Sequence, residues 1–335
     1  MLEPPEVSER DLVACLGRDF GVDVDRITFL PIGADQYAAA YRVDAKDGTT
    51  AFLKLRSEGF DEVSVVLPKF LSEQGIRHVI PPFATSDGRL CVDLRSFKAI
   101  LYPYVPGRNA YEADLAAHHW DAFGRTLRCI HTLALPSDMV GRIRCEGYSG
   151  RWRDELRSLL GGLDDLATRD SLTEDAASLL RAQRPTIHDL LSRTGRLAGR
   201  LQAVPRPFTL CHSDIHAGNL LIGDDGGLYI VDWDEVVLAP KERDLMYIGG
   251  GLLSSGLSPE EEEVRFYRAY GDTQVDPVAI AYYRYERIIE DIAVFSELLL
   301  LSDRGGTDRM QSLTYLAANF QPNGTIDIAH RMDRT

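Results

Sequence analysis

The segment Leu210-Cys-His-Ser-Asp-Ile-His-Ala-Gly-Asn219, followed downstream by Ile230-Val-Asp-Trp-Asp234, decides the reading of this chain. Apolar runs expected to form short strands flank it: Phe208–Cys211, Leu220–Ile222 and Leu228–Val231, with Asp224-Asp225-Gly226-Gly227 as a turn. Polar side chains leaving such strands project at strand ends, where loops carry chemistry. His212, Asp214, His216, Asn219, Asp232 and Asp234 therefore offer six acid–base or ligand groups in two adjacent loops. Two chemistries compete for them. His212, Asp214 and His216 could hold zinc for a hydrolase. Alternatively, Asp214 is a base, while Asn219 and Asp232 give hard oxygen ligands to magnesium on a nucleotide.

The first hundred residues separate these readings. Lys54 lies in the apolar strand Ala51-Phe-Leu-Lys-Leu55. An unpaired ammonium is costly to bury, so Lys54 must meet an anion. Glu58 would serve as a plain ion-pair partner, but a zinc hydrolase gives Lys54 no task. A phosphotransferase uses it on nucleotide phosphates, with Glu62 on the next helix as its orienting partner. Magnesium and ATP are thus the expected cofactors.

Lys54 on a strand, the His-x-Asp-x-x-x-x-Asn loop His212–Asn219 and Val231-Asp-Trp-Asp234 together resemble the aminoglycoside phosphotransferase family. Leu238-Ala-Pro-Lys-Glu-Arg-Asp-Leu-Met246 and Tyr282-Tyr-Arg-Tyr-Glu-Arg-Ile-Ile-Glu-Asp-Ile-Ala293 resemble its spectinomycin-modifying branch. The resemblance implies a protein-kinase-like α+β fold in two lobes, a small antiparallel-sheet lobe and a larger, mostly helical one. It also implies Asp214 as the catalytic residue, Asn219 and Asp232 as metal ligands and Lys54 as the phosphate-binding lysine. Ser213 and Trp233 stand where protein kinases carry Arg and Gly, which disfavours a protein substrate. The nucleotide loop Pro31-Ile-Gly-Ala-Asp35 offers a single glycine, Gly33, for phosphate contact.

The lobes are expected at residues 1–103 and 104–335, divided at Pro103-Tyr-Val-Pro-Gly107. Short strands are expected at Ile27–Pro31, Tyr37–Val43, Ala51–Leu55, Leu90–Leu94 and Phe97–Tyr102, with a helix near Asp61–Gln74. Ser8 and Asp11 are spaced to cap a helix before them. Helical spacing marks Trp120 to Ala134, Phe266 to Tyr270 and Val278 to Leu301. At the hinge, adenine would be read by backbone groups. Proline lacks an N–H, so Tyr104 or Val105 must donate, and the carbonyl of Tyr102 or Pro103 must accept.

The chain has 335 residues and a net charge of −14, which argues against nucleic acid as a partner and favours cationic ones. No run reaches the ~18 apolar residues of a membrane span. The five cysteines are scattered, without a C-x-x-C pair, as in reduced and mostly buried thiols of a cytoplasmic protein. His131 is expected as a packed core histidine, and His216 and Asp244 as partners that fix loop and helix. The function expected is transfer of the ATP γ-phosphoryl to a hydroxyl of a small cationic aminocyclitol, spectinomycin above all, by a monomer that confers antibiotic resistance. Asp234, Glu286, Glu290 and Asp291 are the carboxylates expected to meet the substrate's amines. The alternatives are a kinase for an amino alcohol or sugar, or a nucleotide-binding protein without turnover.

Overall fold

The computed structural model describes residues 2–33, 35, 37–166, 169–250, 256–302, 306–331 and 333. The chain begins with α1 (Glu9–Phe20), whose first turn is closed by Ser8. The Ser8 hydroxyl accepts from the Asp11 amide at 3.1 Å and donates to the Asp11 carboxylate at 2.7 Å. The expected cap is thus present. Strands β1 (Val24–Leu30), β2 (Ala38–Ala45) and β3 (Thr50–Arg56) follow, then α2 (Val63–Glu73), β4 (Val92–Leu94) and β5 (Phe97–Pro103). They form one antiparallel sheet in the order β1-β2-β3-β5-β4. The β2–β3 turn closes at Gly48, whose φ of 86° suits only glycine well.

Beyond Pro103 the pairing changes. Strand β6 (Gly107–Asn109) joins β8 (Leu220–Gly223) and β9 (Leu228–Ile230), and β7 (Thr209–Cys211) pairs with β10 (Val237–Ala239). The helices here are α3 (Ala117–Thr132), α4 (Ser137–Val140), α5 (Arg151–Gly162), α6 (Ser171–Gln202), α7 (Glu242–Leu245), α8 (Pro259–Tyr270), α9 (Pro277–Leu301), α10 (Gly306–Ala318) and α11 (Thr325–Arg331). This mixture of a sheet-bearing first part and a helical second part is the α+β, kinase-like plan expected. Helix α6 is the longest element, capped by Asp170, whose carboxylate accepts from the Thr173 amide at 2.8 Å.

Two large apolar cores and a small cluster of Cys211, Val237 and Ala239 result among the described residues. The smaller core lies between α1 and the sheet: Leu12, Cys15 and Leu16 pack on Tyr41, Val43, Leu53, Leu55, Ala99 and Leu101. The larger one fills the second part around Trp120, Phe123, Tyr282, Tyr283 and Ile289. Helix α2 sits between sheet strands in sequence, yet its Val63, Leu67 and Leu71 belong to the larger core. Val79 next to it bridges to Ile230, and the Ile230 amide donates to the His78 carbonyl at 2.8 Å.

Strand β3 places the key cation. Its burial alternates: Ala51, Leu53 and Leu55 are buried toward α1, while Phe52, Lys54 and Arg56 face the other way. Lys54 is therefore not in the apolar core. Its strand is, and its side chain stands on the face turned toward β9 and the loop beyond it.

Of the five free cysteines, Cys15 and Cys211 are buried and Cys91 is half-buried. Cys129 and Cys145 are exposed, so burial is not the general rule expected. Among the described residues no helix is long and apolar enough to cross a membrane.

Candidate functional site: a cleft of carboxylates and cations

Strand β7 ends at Cys211 and delivers a tightly bonded loop. Asp244, fully buried on α7, accepts the His212 amide at 3.0 Å and the Ser213 amide at 2.6 Å. Its carboxylate also takes the His131 imidazole at 2.9 Å, while the other ring nitrogen of His131 meets the Tyr270 hydroxyl at 2.8 Å. Asp244 thus fixes the loop, as expected, and His131, buried in the core as expected, is one of its partners. Ser213 has φ 70° and Asp232 has φ 64°, left-handed conformations that cost a side-chain-bearing residue energy. The Ser213 amide, donating to the Asp244 carboxylate, and the Ser213 hydroxyl, donating to the Glu235 carbonyl, hold the first of these in place.

The zinc reading fails on its ligands. His212 uses one ring nitrogen on the Val231 carbonyl at 3.0 Å and the other on the Asp214 amide at 3.3 Å. The His216 ring accepts from the Gly218 amide at 3.0 Å. With both His212 nitrogens on backbone and His216 left with only its Nε2, 3.6 Å from Asp214, the three-ligand set of a zinc hydrolase is not assembled. Cys211 is no nucleophile either: burial pushes its thiol well above the ordinary range, and it lies under the Ala239 and Pro240 carbonyls.

Asp214, Asn219, Asp232 and Lys54 do converge. The Asn219 amide nitrogen donates to the Asp214 carbonyl at 2.7 Å and to its carboxylate at 3.3 Å, so the amide oxygen is not used in these bonds. Asp232 Oδ1 meets Lys54 Nζ at 2.8 Å, and its side chain is 46% exposed. A carboxylate and an amide oxygen, both hard donors at one open edge, fit magnesium and not zinc. Lys54 also meets Asp234 at 2.9 Å. Burial alone would lower the Lys54 pKa, but Asp232 and Asp234 outweigh it and raise it, so the ammonium stays charged.

Several expected partners are placed elsewhere. Glu62 precedes α2, is largely exposed, and holds Arg142 at 2.8 Å instead of Lys54. The lysine's orienting carboxylates come from the second part of the chain because its strand face points there. Glu58 does not pair with Lys54 either; its carbonyl accepts from Arg56. Asp234 is not open to a substrate amine, because Lys54 and Arg56, the latter at 3.1 Å, already share it. Glu286 is buried against Arg153 at 2.7 Å, between α9 and α5. Arg153 is thus the cation beside Glu286, and burial would lower the pKa of Arg243, which Glu290 instead raises. Among the four expected substrate carboxylates, Asp291 is the one placed beside Asp214, linked to it through Arg287.

Arg287 and Arg56 are the residues sequence reasoning missed. Arg56 follows Lys54 by two positions on the same strand face, and its guanidinium clasps Asp35 of the nucleotide loop as well as Asp234. Period-two alternation would have found it. Arg287 reaches Asp214 at 2.5 Å and Asp291 at 3.0 Å. Burial would raise the Asp214 pKa, but Arg287 and then His216 and His212 hold it well below the usual carboxylate range. In the nucleotide loop Gly33 has φ 84° and open space around it, while Ala34 lies outside the described residues. At the hinge the Tyr104 amide reaches the Thr50 carbonyl at 3.4 Å, and no backbone group among the described residues accepts from Val105. Tyr102 faces Phe52 on β3, with ring centroids 6.5 Å apart.

Comparison with known proteins follows this geometry. Residues 28–287 match the model of the phosphotransferase enzyme family. A spectinomycin phosphotransferase crystallised with ADP and spectinomycin superposes with TM-score 0.89 at 35% identity, covering 99% of this chain and 100% of that one. The AMP-bound complex of such an enzyme gives TM-score 0.84 at 34% identity, over 97% and 98% of the two chains. Protein StrN of Streptomyces griseus is 24% identical over 269 residues, 73% of this chain and 77% of its own.

Proposed function

Since the chain belongs to the phosphotransferase enzyme family, and so is a kinase with a hydroxyl acceptor, we propose that it phosphorylates an aminocyclitol of the spectinomycin type at the expense of ATP. The observation that carries this reading is the meeting of Lys54, Asp232, Asn219 and Asp214 along one edge of the cleft. The likeness over nearly the whole chain to an enzyme solved with spectinomycin supplies the acceptor.

Each group then has a task. Lys54, with Arg56 beside it, holds the nucleotide phosphates. Val105 donates to adenine, because the Tyr104 amide is already directed at Thr50, and the Tyr102 or Pro103 carbonyl accepts. Asn219 and Asp232 hold magnesium, which when bound spreads the charge of the phosphates. Asp214 takes the proton of the acceptor hydroxyl as its oxygen bonds to the γ-phosphorus. The bond from that phosphorus to the bridging oxygen breaks, and ADP departs. With a loose transition state, orientation and charge do most of the catalysis.

The test is direct: purified protein, MgATP and spectinomycin, with product detection by mass spectrometry. A phosphate-sized mass gain on spectinomycin with ADP formed in equal amount is expected. Unmodified spectinomycin alongside phosphorylation of an uncharged alcohol would overturn the acceptor assignment.

A further inference from the structure

One oxygen of the catalytic carboxylate is already filled. Asp214 Oδ1 accepts from the Tyr247 hydroxyl at 3.2 Å and from Arg287 Nη1 at 2.5 Å, and Oδ2 accepts from Asn219 at 3.3 Å. Oδ1 has two lone pairs, so it has no place left for an acceptor hydroxyl. Arg287 is held in this pose from its own helix: Asp291, one turn on, takes its Nε at 3.0 Å. The buried Ile288, Ile289 and Ile292 anchor that stretch of α9.

We infer that Arg287 keeps the acceptor's place on Asp214, shielding the carboxylate from water until a protonated amine of the acceptor displaces it. This rests on the phosphotransfer reading above. The charge requirement follows from Asp291. If Arg287 leaves, Asp214 and Asp291 face each other in a partly dry cleft without a cation, which is strongly unfavourable. An acceptor that brings its own positive charge restores the balance, whereas a neutral alcohol or water does not. The same device makes the enzyme prefer cationic acceptors and restrains wasteful hydrolysis. In that hydrolysis water bonds to the γ-phosphorus, its proton passes to Asp214, and ADP and phosphate leave.

Wild type, Arg287→Met and Arg287→Lys are compared by thermal melting, by ATP hydrolysis without acceptor, and by initial rates with spectinomycin. Arg287→Met should hydrolyse ATP several-fold faster than wild type without acceptor, and its KM for spectinomycin should fall because the internal competitor is gone. Arg287→Lys, which keeps the charge but loses the fork, should lie between. Should Arg287→Met fail to fold, Arg287→Lys against wild type carries the comparison alone. Unchanged hydrolysis with a raised KM means that Arg287 binds the acceptor, and unchanged hydrolysis with a lowered kcat means that it positions Asp214; either overturns the inference. If wild type leaves spectinomycin untouched, the acceptor assignment fails, and the hydrolysis rates of the three proteins still decide the shield.

Discussion

Lys54 and Asp232 are 178 positions apart in the chain and 2.8 Å apart in space. One stands on the sheet of the first part, the other just past β9 of the second, so their ion pair closes the cleft in which nucleotide phosphates would lie. On the proposed reading, phosphates entering there would take over Lys54, and a divalent cation would take over Asp232. The pair thus holds the two groups ready while neither is in use.

Lys54→Met should raise the KM for ATP or lower kcat by about ten- to a hundredfold, since a hydrogen bond to a charged group is worth about 1.5–3 kcal/mol. The fold should survive, because the methionine stem fits the same channel and Arg56 still pairs with Asp234. Steady-state kinetics with a thermal melt reads both. A large loss of melting temperature with unchanged kinetics would make the pair purely structural.

Asp214→Ala should lower kcat by about two to four powers of ten, the usual weight of a general base, with ATP affinity nearly intact. Nucleotide titration and single-turnover rates separate the two effects. A variant that loses ATP binding but keeps its rate would place the base elsewhere.

Asp232→Asn should remove most of the magnesium dependence of nucleotide binding, because a charged hard ligand becomes neutral. Titrating ADP binding against magnesium measures this. Wild-type magnesium dependence in the variant would move the metal site to other residues.

Glu286 makes stability pH-dependent. Burial, only partly offset by Arg153, pushes its carboxyl up to about 7 from an ordinary 4.5. The folded state thus binds this proton more tightly than the unfolded chain, and the stability that the group contributes declines as pH rises from about 4.5 to about 7. Melts of wild type and Glu286→Gln at pH 5 to 8 should diverge, with wild type losing ground as pH rises. Parallel curves would contradict the raised value.

Gly124 on α3 leaves no room for a methyl group: a Cβ there would lie 2.8 Å from the Phe266 carbonyl oxygen and from the Tyr270 amide nitrogen on α8. Gly124→Ala should therefore cost about 1–3 kcal/mol, the range for overpacking a dense contact. Chemical denaturation measures it, and an unchanged midpoint would mean that α8 shifts freely.

The sequence made the catalytic loop legible for a local reason. Asp214, Asn219 and Asp232 sit at ends of short apolar strands, and strand ends are visible as abrupt changes from apolar to polar. Lys54 was legible as a charge in such a strand, and Ser8 as a cap three residues before Asp11. Partners across the fold were not legible. Glu286 and Glu290 share a helix face by spacing, but only packing of α9 on α5 brings Arg153, 133 positions away, to Glu286. Glu62 falls on the expected helix, yet α2 begins one residue after it and docks on the larger core, where Glu62 meets Arg142. Arg287 and Asp291 could be paired by their interval of four, whereas the reach of Arg287 to Asp214 depends on how a late helix crosses the loop.

The docking of α2 also fixes how the molecule can open. The chain leaves the smaller core after Arg56, returns to it by Val92, and leaves again after Pro103. Two bodies tied by one tether swivel in every direction. Three tethers leave the sheet and α1 fewer independent motions relative to α2 than a single one would. If ATP enters and ADP leaves by this cleft, as proposed, the same three tethers bound the motion both need and keep Lys54 within reach of Asp232 and Asp234.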